Sequence, residues 1–578
     1  MNIYRILPRI LIGAGLSLLI SSPAFAQTES RTRKKLIQLG WDKPTAATLR
    51  ANLAQMDQTP FDGALIGVRG KDDNGKEVEA RLAFSNVPWK KEWFQQSVDD
   101  LKVVRSQAKK LTENFIQVGA NPGNVDWFDD AGWEQVIEHF RIAAWIAKEG
   151  NLKGIIFDPE AYTKPHRQFD YSLQAQTGKH SFEQYQAKAR QRGREVISAI
   201  ASVDPNLMMY TLFMLSVHEG VAKADHPQAA LLSSGYNLYP AFINGWLDAA
   251  PPSMIFVDGC EIQGYLADSQ LDFLRSANLM RNTALNLVAP ENHQKYLSQV
   301  QASFGIYLDA YINPPTSFWY IDSEGSTPTQ RLQANVQYAI DAANEYVWIY
   351  GEKYRWWPTT NGSVNPQSWG EVLPGIHDAL LSTTRPQMIA QKTITQAQMS
   401  GKLINLLKNG DFSEKKPNVV SPENNKQDWN AVGAPAGWSS WQTGYSQGTF
   451  SQDNSVNHGE GESGSARIDR TSSGCFIQSI NVKPGESYIV SAWIRQTGNG
   501  NGWIGVRWQT SAGKWTDEPS DVMIVNPPGS QTASWQKLES VVTVPAHAGK
   551  LVMLLSAGGQ SQPQDVVWFD DAQLFKIK

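Results

Sequence analysis

The segment Gly154-Ile155-Ile156-Phe157-Asp158-Pro159-Glu160-Ala161-Tyr162 carries two acids, two residues apart, directly after an apolar run. In an extended chain such residues point the same way, so both carboxylates would leave the strand on one side. Two close carboxylates raise one another's proton affinity, and one can stay protonated near neutral pH. A protonated carboxyl near an ionised one is what acid-assisted cleavage of a glycosidic bond requires. The pattern recurs. Val347–Tyr350 runs into Gly351-Glu352, with Trp356 and Trp357 close behind. Phe256-Val257 runs into Asp258 and then Glu261. Asp309 sits in Tyr307-Leu308-Asp309-Ala310-Tyr311, and His218-Glu219 follows a fifth apolar run. Each acid alone also suits a helix cap or a structural ion pair. Their repetition at the ends of apolar runs argues for a shared site. On this reading Glu160 is the general acid and Asp158 tunes it. Glu352, or Glu261 in its place, is the nucleophile or base. Asp258, Asp309, Tyr162, Trp356 and Trp357 are expected to contact substrate, the aromatics by stacking on sugar rings.

The elements that must position these groups alternate. Strand candidates are Phe61–Val68, Leu82–Val87, Asn114–Gly119, Leu152–Phe157, Leu207–Leu215, Met254–Val257, Phe304–Tyr311 and Tyr346–Tyr350. They are continuously apolar, as suits strands buried on both faces of a parallel sheet. Helical periodicity fills most gaps, over Glu92–Leu111, Gly132–Glu149, Ser181–Ser202, Asp268–Thr283 and Gln330–Asn344. Strands alternating with helices predict an α/β domain, and eight of them predict a closed (β/α)8 TIM-like barrel over 27–386. In such a barrel the working groups stand at the C-terminal ends of strands, where these acids fall. Tyr239–Trp246 reads as a cleft wall or a packed loop.

The remaining features bound the class. Arg5 and Arg9, the apolar run Ile10–Ile20 and Ala24-Phe25-Ala26 read as a signal peptide over 1–26. The expected address is therefore the periplasm, the outer surface or the medium, with no stable membrane span after cleavage. A net charge of −4 gives no basic excess, so nucleic acid is not an expected partner. The two cysteines, Cys260 and Cys475, fall in different domains and make no disulfide framework. Gly-rich phosphate loops and His-x-x-x-His metal pairs are absent from the sequence, and no cofactor is expected for catalysis. Gly444-Tyr445-Ser446-Gln447-Gly448 matches the nucleophile-elbow spacing but lacks the strand-to-helix setting. The 21 tryptophans are in excess and suit sugar stacking as well as core filling.

After a polar stretch over 387–404, a short helix or a linker, the pattern becomes short strands between Gly, Asn, Ser and Pro to the end. This predicts an all-β sandwich over 405–578. Asn405-Leu406-Leu407-Lys408-Asn409-Gly410-Asp411-Phe412 opens it, and Pro435-Ala436-Gly437-Trp438 follows. Val482-Lys483-Pro484-Gly485-Glu486-Ser487-Tyr488 and Trp568-Phe569-Asp570-Asp571-Ala572-Gln573-Leu574 complete the set. Together these resemble the jelly-roll carbohydrate-binding modules associated with bacterial cellulases and xylanases, over nearly all of this region. Trp441, Trp503 and Trp508, with Tyr445 and Trp515, are the stacking candidates. Trp438, Trp493 and Trp568 are expected inside. The resemblance implies a structural calcium where the first and last strands meet. Asp411, Glu414, Asp570 and Asp571 could supply its oxygens, or could serve as turn residues.

The N-terminal layout resembles the broad group of barrel glycoside hydrolases. Asp158-x-Glu160 looks like the acid end of the chitinase-type motif, and Gly154 fits it. Lys153 and Ile156 stand where that motif has two further acids, a departure from its substrate-assisted chemistry. A second template places the acid on strand four and the nucleophile on strand seven. Glu160 fits the first place, Glu352 falls one strand late, and Glu261 is the substitute. The resemblances imply an exported hydrolase acting on a polysaccharide. A non-catalytic glycan-binding or surface-attachment protein, and a deacetylase or lyase, are the alternatives.

Overall fold

The computed structural model describes residues 33–400, 403–415, 434–459, 464–498, 501–516, 521–525 and 533–577. The expected signal peptide lies outside these residues. The described chain forms two compact units, one ending at Leu380 and one beginning at Leu381.

Among the described residues, unit one is built on parallel strands β1 Lys35–Gly40, β2 Gly63–Ile66, β3 Phe115–Gly119, β4 Gly154–Asp158, β5 Met208–Thr211, β6 Phe256–Asp258, β7 and β8 Tyr346–Gly351. Strand β7 comes in two pieces, Val300–Ala302 and Gly305–Tyr307. The first piece pairs with β6 and the second with β8, while β8 pairs with β1 along six residues. The interruption is only Ser303-Phe304, and it too is bonded on both sides. Ser303 donates its amide to Asp258, and Phe304 accepts from the amide of Trp348. The sheet therefore returns on itself as a TIM-like barrel. Its strands are apolar because both faces are covered: Leu36, Ile116, Ile155, Val257 and Val347 are fully or almost fully buried.

One expected strand is absent and one unforeseen strand is present, and the differences offset. Leu82–Val87 forms no strand. Leu82 and Phe84 make isolated bridges to Ala120 and Pro122, and Phe84 is buried among Trp133, Phe157 and Phe242. Its apolar character fills a pocket and does not report a ladder. The first strand is instead Lys35–Gly40. Two flanking lysines and the buried Gln38 mask its apolar run, and Gln38 Nε2 donates to Asp42 at 2.6 Å. One strand lost and one gained leave Glu160 after strand four and Glu352 after strand eight.

Helices start where caps permit. Ser181 with Gln184, and Thr327 with Gln330, form capping boxes for Phe182–Val203 and Pro328–Ala342. Tyr239–Trp246 is no loop: it belongs to the helix Tyr239–Ala249, which packs on Phe182–Val203, and its Pro240, Ala241 and Asn244 line a cavity away from the barrel mouth. The two helices touch through Gly193 and Gly245. A methyl on Gly193 would lie 2.1 Å from the Phe242 carbonyl oxygen, and one on Gly245 2.1 Å from that of Arg190.

Unit two is an antiparallel β-sandwich. Among its described residues are two five-stranded sheets. One runs Ser439–Gln442, Ser473–Asn481, Lys550–Gly558, Asn501–Gln509 and Val522–Val525 in spatial order. The other pairs Thr449–Asp453, Ser465–Asp469, Val566–Lys576, Ser487–Thr497 and Gln536–Thr543. Trp438, Ile468, Val490, Val506 and Leu555 lie in the core between them. The polar stretch forms a helix, Pro386–Met399, whose Ala390 and Ile394 pack on Ile489 and Phe575. It is built onto the sandwich because its few apolar residues fall on one helical face.

The helix contact yields a stability test. Gly193→Ala forces a methyl against backbone and is expected to cost ~1–3 kcal/mol, as overpacking does. Thermal unfolding followed by circular dichroism should show a lower midpoint for this variant. An unchanged midpoint would mean that the contact is looser than 2.1 Å implies.

Candidate functional site

The C-terminal mouth of the barrel holds a cavity of about 520 Å³ to which all eight strands or the loops after them contribute. Asp158, Glu160, Glu261 and Glu352 line it together. Residues after strands four, six and eight thus meet although some 190 positions separate the first from the last.

Asp158 ends β4 and is buried. Its Oδ1 accepts the amide of Glu160 at 3.0 Å, which locks the turn between them. Asn121 clamps the same turn from β3: its Nδ2 donates to the Glu160 carbonyl at 2.8 Å, and its Oδ1 accepts the Tyr162 amide at 2.9 Å. The Tyr162 hydroxyl donates to Glu160 Oε2 at 2.5 Å, while its ring is 58% exposed over the cavity. Burial, with the charge of Glu160 adding to it, pushes the Asp158 carboxyl up to about 7. Glu261 opens the short helix Glu261–Leu266, after Cys260 in a left-handed conformation. Its Oε2 is sealed from solvent. Burial, then Glu160 and Asp158, hold it well above the ordinary carboxylate range, against the opposing Tyr265 hydroxyl. The cluster therefore carries a proton at neutral pH.

Glu352 stands apart in its surroundings. The hydroxyls of Tyr307 and Tyr350 donate to its two oxygens, each at 3.1 Å. Asp309 lies behind it, accepting the Glu352 amide at 2.9 Å, and burial raises its carboxyl to about 6. Tyr265 stacks on Tyr307 and Tyr350 with ring centroids 5.1 and 5.7 Å apart, which makes an aromatic wall. Trp41, Trp319 and Trp348 extend the lining.

Other residues singled out in the sequence lie elsewhere. Asp258 is fully buried outside the cavity lining; its oxygens accept the amides of Met214, Leu215, Ser216 and Cys260 and the Ser216 hydroxyl. That arrangement anchors the loop after β5. Trp356 and Trp357 are buried beneath the mouth against Phe61, and Trp357 Nε1 donates to the Asp42 carbonyl. They are packing residues, so no sugar stacks there. Glu219 pairs with Lys223 on a short helix. Trp41, Lys43 and Arg81 are lining residues that sequence reasoning missed. Locating β1 would have found the first two, since Trp41-Asp42-Lys43 follows it directly.

In the sandwich, Trp441 pairs with Cys475, Cys475 with Ser556, Ser556 with Trp503 and Trp503 with Val525. Directly paired residues share a face. Trp441, 39% exposed, and the half-buried Trp503 therefore flank a floor of Cys475 and Ser556. Three strand steps separate them, ~14 Å at the usual interstrand spacing. Trp515 is exposed under the Arg507 guanidinium at 4.5 Å, and Tyr445 is exposed in a loop. Trp508 points the other way, into the core, with no exposure. Trp438 is buried in that core, Trp568 is almost buried, and Trp493 stacks on His458.

The four carboxylates considered for calcium do not assemble. Asp570 accepts the amides of His458 and Asp571, both at 2.7 Å. Asp571 pairs with His458 Nδ1 at 2.8 Å, and Asp411 bonds the amide and hydroxyl of Ser413. Glu414 is exposed. Among the described residues, no group of three or more His, Cys, Asp or Glu side chains could hold a metal ion. Likewise, none of their helices is long and apolar enough to cross a membrane.

No protein-family profile matches this chain, and no curated protein matches it. Solved structures do. The structure titled "CBM4 structure and function" is 20% identical, covers 29% of this chain and 99% of its own, and has a TM-score of 0.19. The Clostridium thermocellum xylanase 10B CBM22-1–GH10 modules complexed with xylohexaose are 15% identical over 24% of this chain and 26% of theirs, with a TM-score of 0.19. The enzymatically active domain of a bacteriophage CBA120 tailspike protein is 17% identical over 25% of this chain, with a TM-score of 0.21. The match spans about a fifth of that domain, 20% of its chain. Likeness of this extent assigns neither a family nor an activity.

The electrostatics of the mouth are testable without any substrate. Carboxyl infrared difference spectra should retain a protonated cluster band at pH 6, because Asp158 titrates near 7 and burial holds Glu261 well above the ordinary carboxylate range. Asp158→Asn removes a negative neighbour and should move the Glu261 midpoint down. Loss of the whole band by about pH 5, the ordinary carboxyl range, would refute the coupling.

Proposed function

We propose that the barrel is a glycoside hydrolase acting on a polysaccharide. The observation that carries this reading is the meeting of Asp158, Glu160, Glu261 and Glu352 in one aromatic-walled cavity at the barrel mouth. Glycosidic cleavage needs one carboxyl that holds a proton and another that is charged. We assign the first role to the Asp158–Glu160–Glu261 cluster and the second to Glu352. Glu160 delivers the proton to the leaving oxygen: it lines the cavity, and its charge acts on both Asp158 and Glu261. Asp158 and Glu261 keep that proton available up to neutral pH. Glu352, oriented by Tyr307 and Tyr350, stabilises or attacks the developing positive charge at the anomeric carbon. The aromatic wall of Tyr265, Tyr307 and Tyr350 gives a sugar ring a flat apolar surface.

The sandwich fits a glycan-binding role through the Trp441–Trp503 row, holding the enzyme on its polymer. The N-terminal signal pattern fits an exported enzyme, so substrate and protein would meet outside the cytoplasm.

A reducing-end assay over a polysaccharide panel tests the catalytic reading. Glu160→Gln should lower release by ~10²–10⁴-fold, the usual worth of a general acid, with the fold retained. Equal release by parent and variant would remove Glu160 from the chemistry. Silence from both, with glycan binding intact, would favour the non-catalytic alternative. In affinity electrophoresis, Trp441→Ala and Trp503→Ala should each weaken polymer retention by ~0.5–1.5 kcal/mol, while Trp515→Ala reports the neighbouring loop. Retention unchanged in the first two would discount that face.

A further inference from the structure

The cavity at the barrel mouth adjoins a second one of about 440 Å³, and Trp41, Lys43, Arg81 and Gln117 line both. The two halves of this cleft differ in charge. Four carboxylates line the first half. Lys43, Arg69 and Arg81 line the second, where Glu79 is the one acid among the lining residues. Arg69 and Arg81 both reach Glu79, and Arg69 also reaches Glu77. The Lys43 ammonium differs from both arginines: among the described residues it has no hydrogen bond or ion pair. Asp158, Glu79 and Asp42 act on it from beyond ion-pair distance. Burial, with Arg81 adding to it, holds the Lys43 ammonium below the ordinary lysine range. A partly desolvated cation with no partner is costly, and an anion placed beside it would relieve that cost.

The backbone points the same way. Helix Ala46–Met56 begins at this wall, and its cap Thr45 and first-turn Thr48 both line the second cavity. Thr45 Oγ1 accepts the Thr48 amide at 3.1 Å. The helix N-terminus adds positive potential where Lys43 and Arg81 already stand.

We infer that the second half of the cleft binds an anionic substituent of the glycan, a carboxylate or a sulfate ester, with Lys43 as its principal partner. The inference rests on the glycosidase reading only for the nature of the ligand's backbone. A neutral chain would leave Lys43 unpaired in the complex, whereas a uronate or sulfated residue would pair it. Trp41, shared by both halves, would carry the intervening sugar.

Calorimetric titration of the full-length protein tests this with three probes: a galacturonate hexamer, a sulfated carrageenan hexasaccharide and neutral xylohexaose. One anionic probe should bind at least about tenfold more tightly than xylohexaose, in keeping with a charge-assisted contact. Lys43→Met should lose about that factor for the anionic probe and nothing for xylohexaose, while Lys43→Arg retains most of it. The preferred probe tells carboxylate from sulfate. The ligand-free Lys43→Met protein should melt no lower than the parent, which separates lost binding from lost folding. Affinity for both anionic probes equal to that for xylohexaose, or unaffected by Lys43→Met, overturns the inference. The two readings fail separately. Lys43-dependent binding with no reducing ends released defeats the hydrolase alone. Hydrolysis of a polysaccharide, with binding of the anionic probes that Lys43→Met leaves untouched, defeats the anion site alone.

Discussion

Closure of the parallel sheet is the constraint on which the rest of the barrel depends. A strand with an open edge leaves a row of backbone donors and acceptors without partners. Here β7 removes both edges at once, its first piece bonded to β6 and its second to β8. The break at Ser303-Phe304 lets one short run serve two neighbours without losing backbone bonds. Closure also fixes which strand ends face each other. It brings the turn after β4, the helix start after β6 and the end of β8 around one cavity. A latch reinforces the seam: Asp42, just after β1, accepts the Trp356 amide at 2.7 Å.

Gathering four carboxylates in one cavity is costly, and the structure handles the cost in two ways. The Asp158–Glu160–Glu261 side gives up charge by retaining a proton, as burial and mutual repulsion dictate. On the other side, Glu352 takes hydrogen bonds from two tyrosines. Carboxylates of one site therefore meet different surroundings, set by the fold and not by residue type. Asp258 shows a third outcome. With five donors around its two oxygens it is wholly structural.

The same logic sorts the tryptophans. Stacking on a glycan and filling a core ask for the same flat apolar surface, so residue type alone does not separate them. Strand parity does. Trp503 and Trp508 lie five apart on one strand and must face opposite ways, which puts Trp508 in the core once Trp503 faces out. The sequence reading took both as stacking residues and did not use that parity. The company of Trp441 and Trp503 was not legible in the sequence, because it depends on the register of three intervening strand pairings.

The sequence by itself determined the two-part architecture and the positions of Glu160, Glu261 and Glu352 after strands, while its count of eight strands held only because two errors offset. The architecture and these positions follow from local signals: continuous apolar runs, helical periodicity and acids placed where a run stops. It misplaced one strand because Phe84 is apolar for packing, and it hid another behind lysines and the buried Gln38. Tertiary structure alone decided which carboxylates meet, which keep their protons, and that Asp258, Trp356 and Trp357 serve the scaffold. It also placed Trp41, Lys43 and Arg81 at the mouth. Those outcomes depend on burial and on contacts between residues far apart in the chain, and neither is carried by spacing along it.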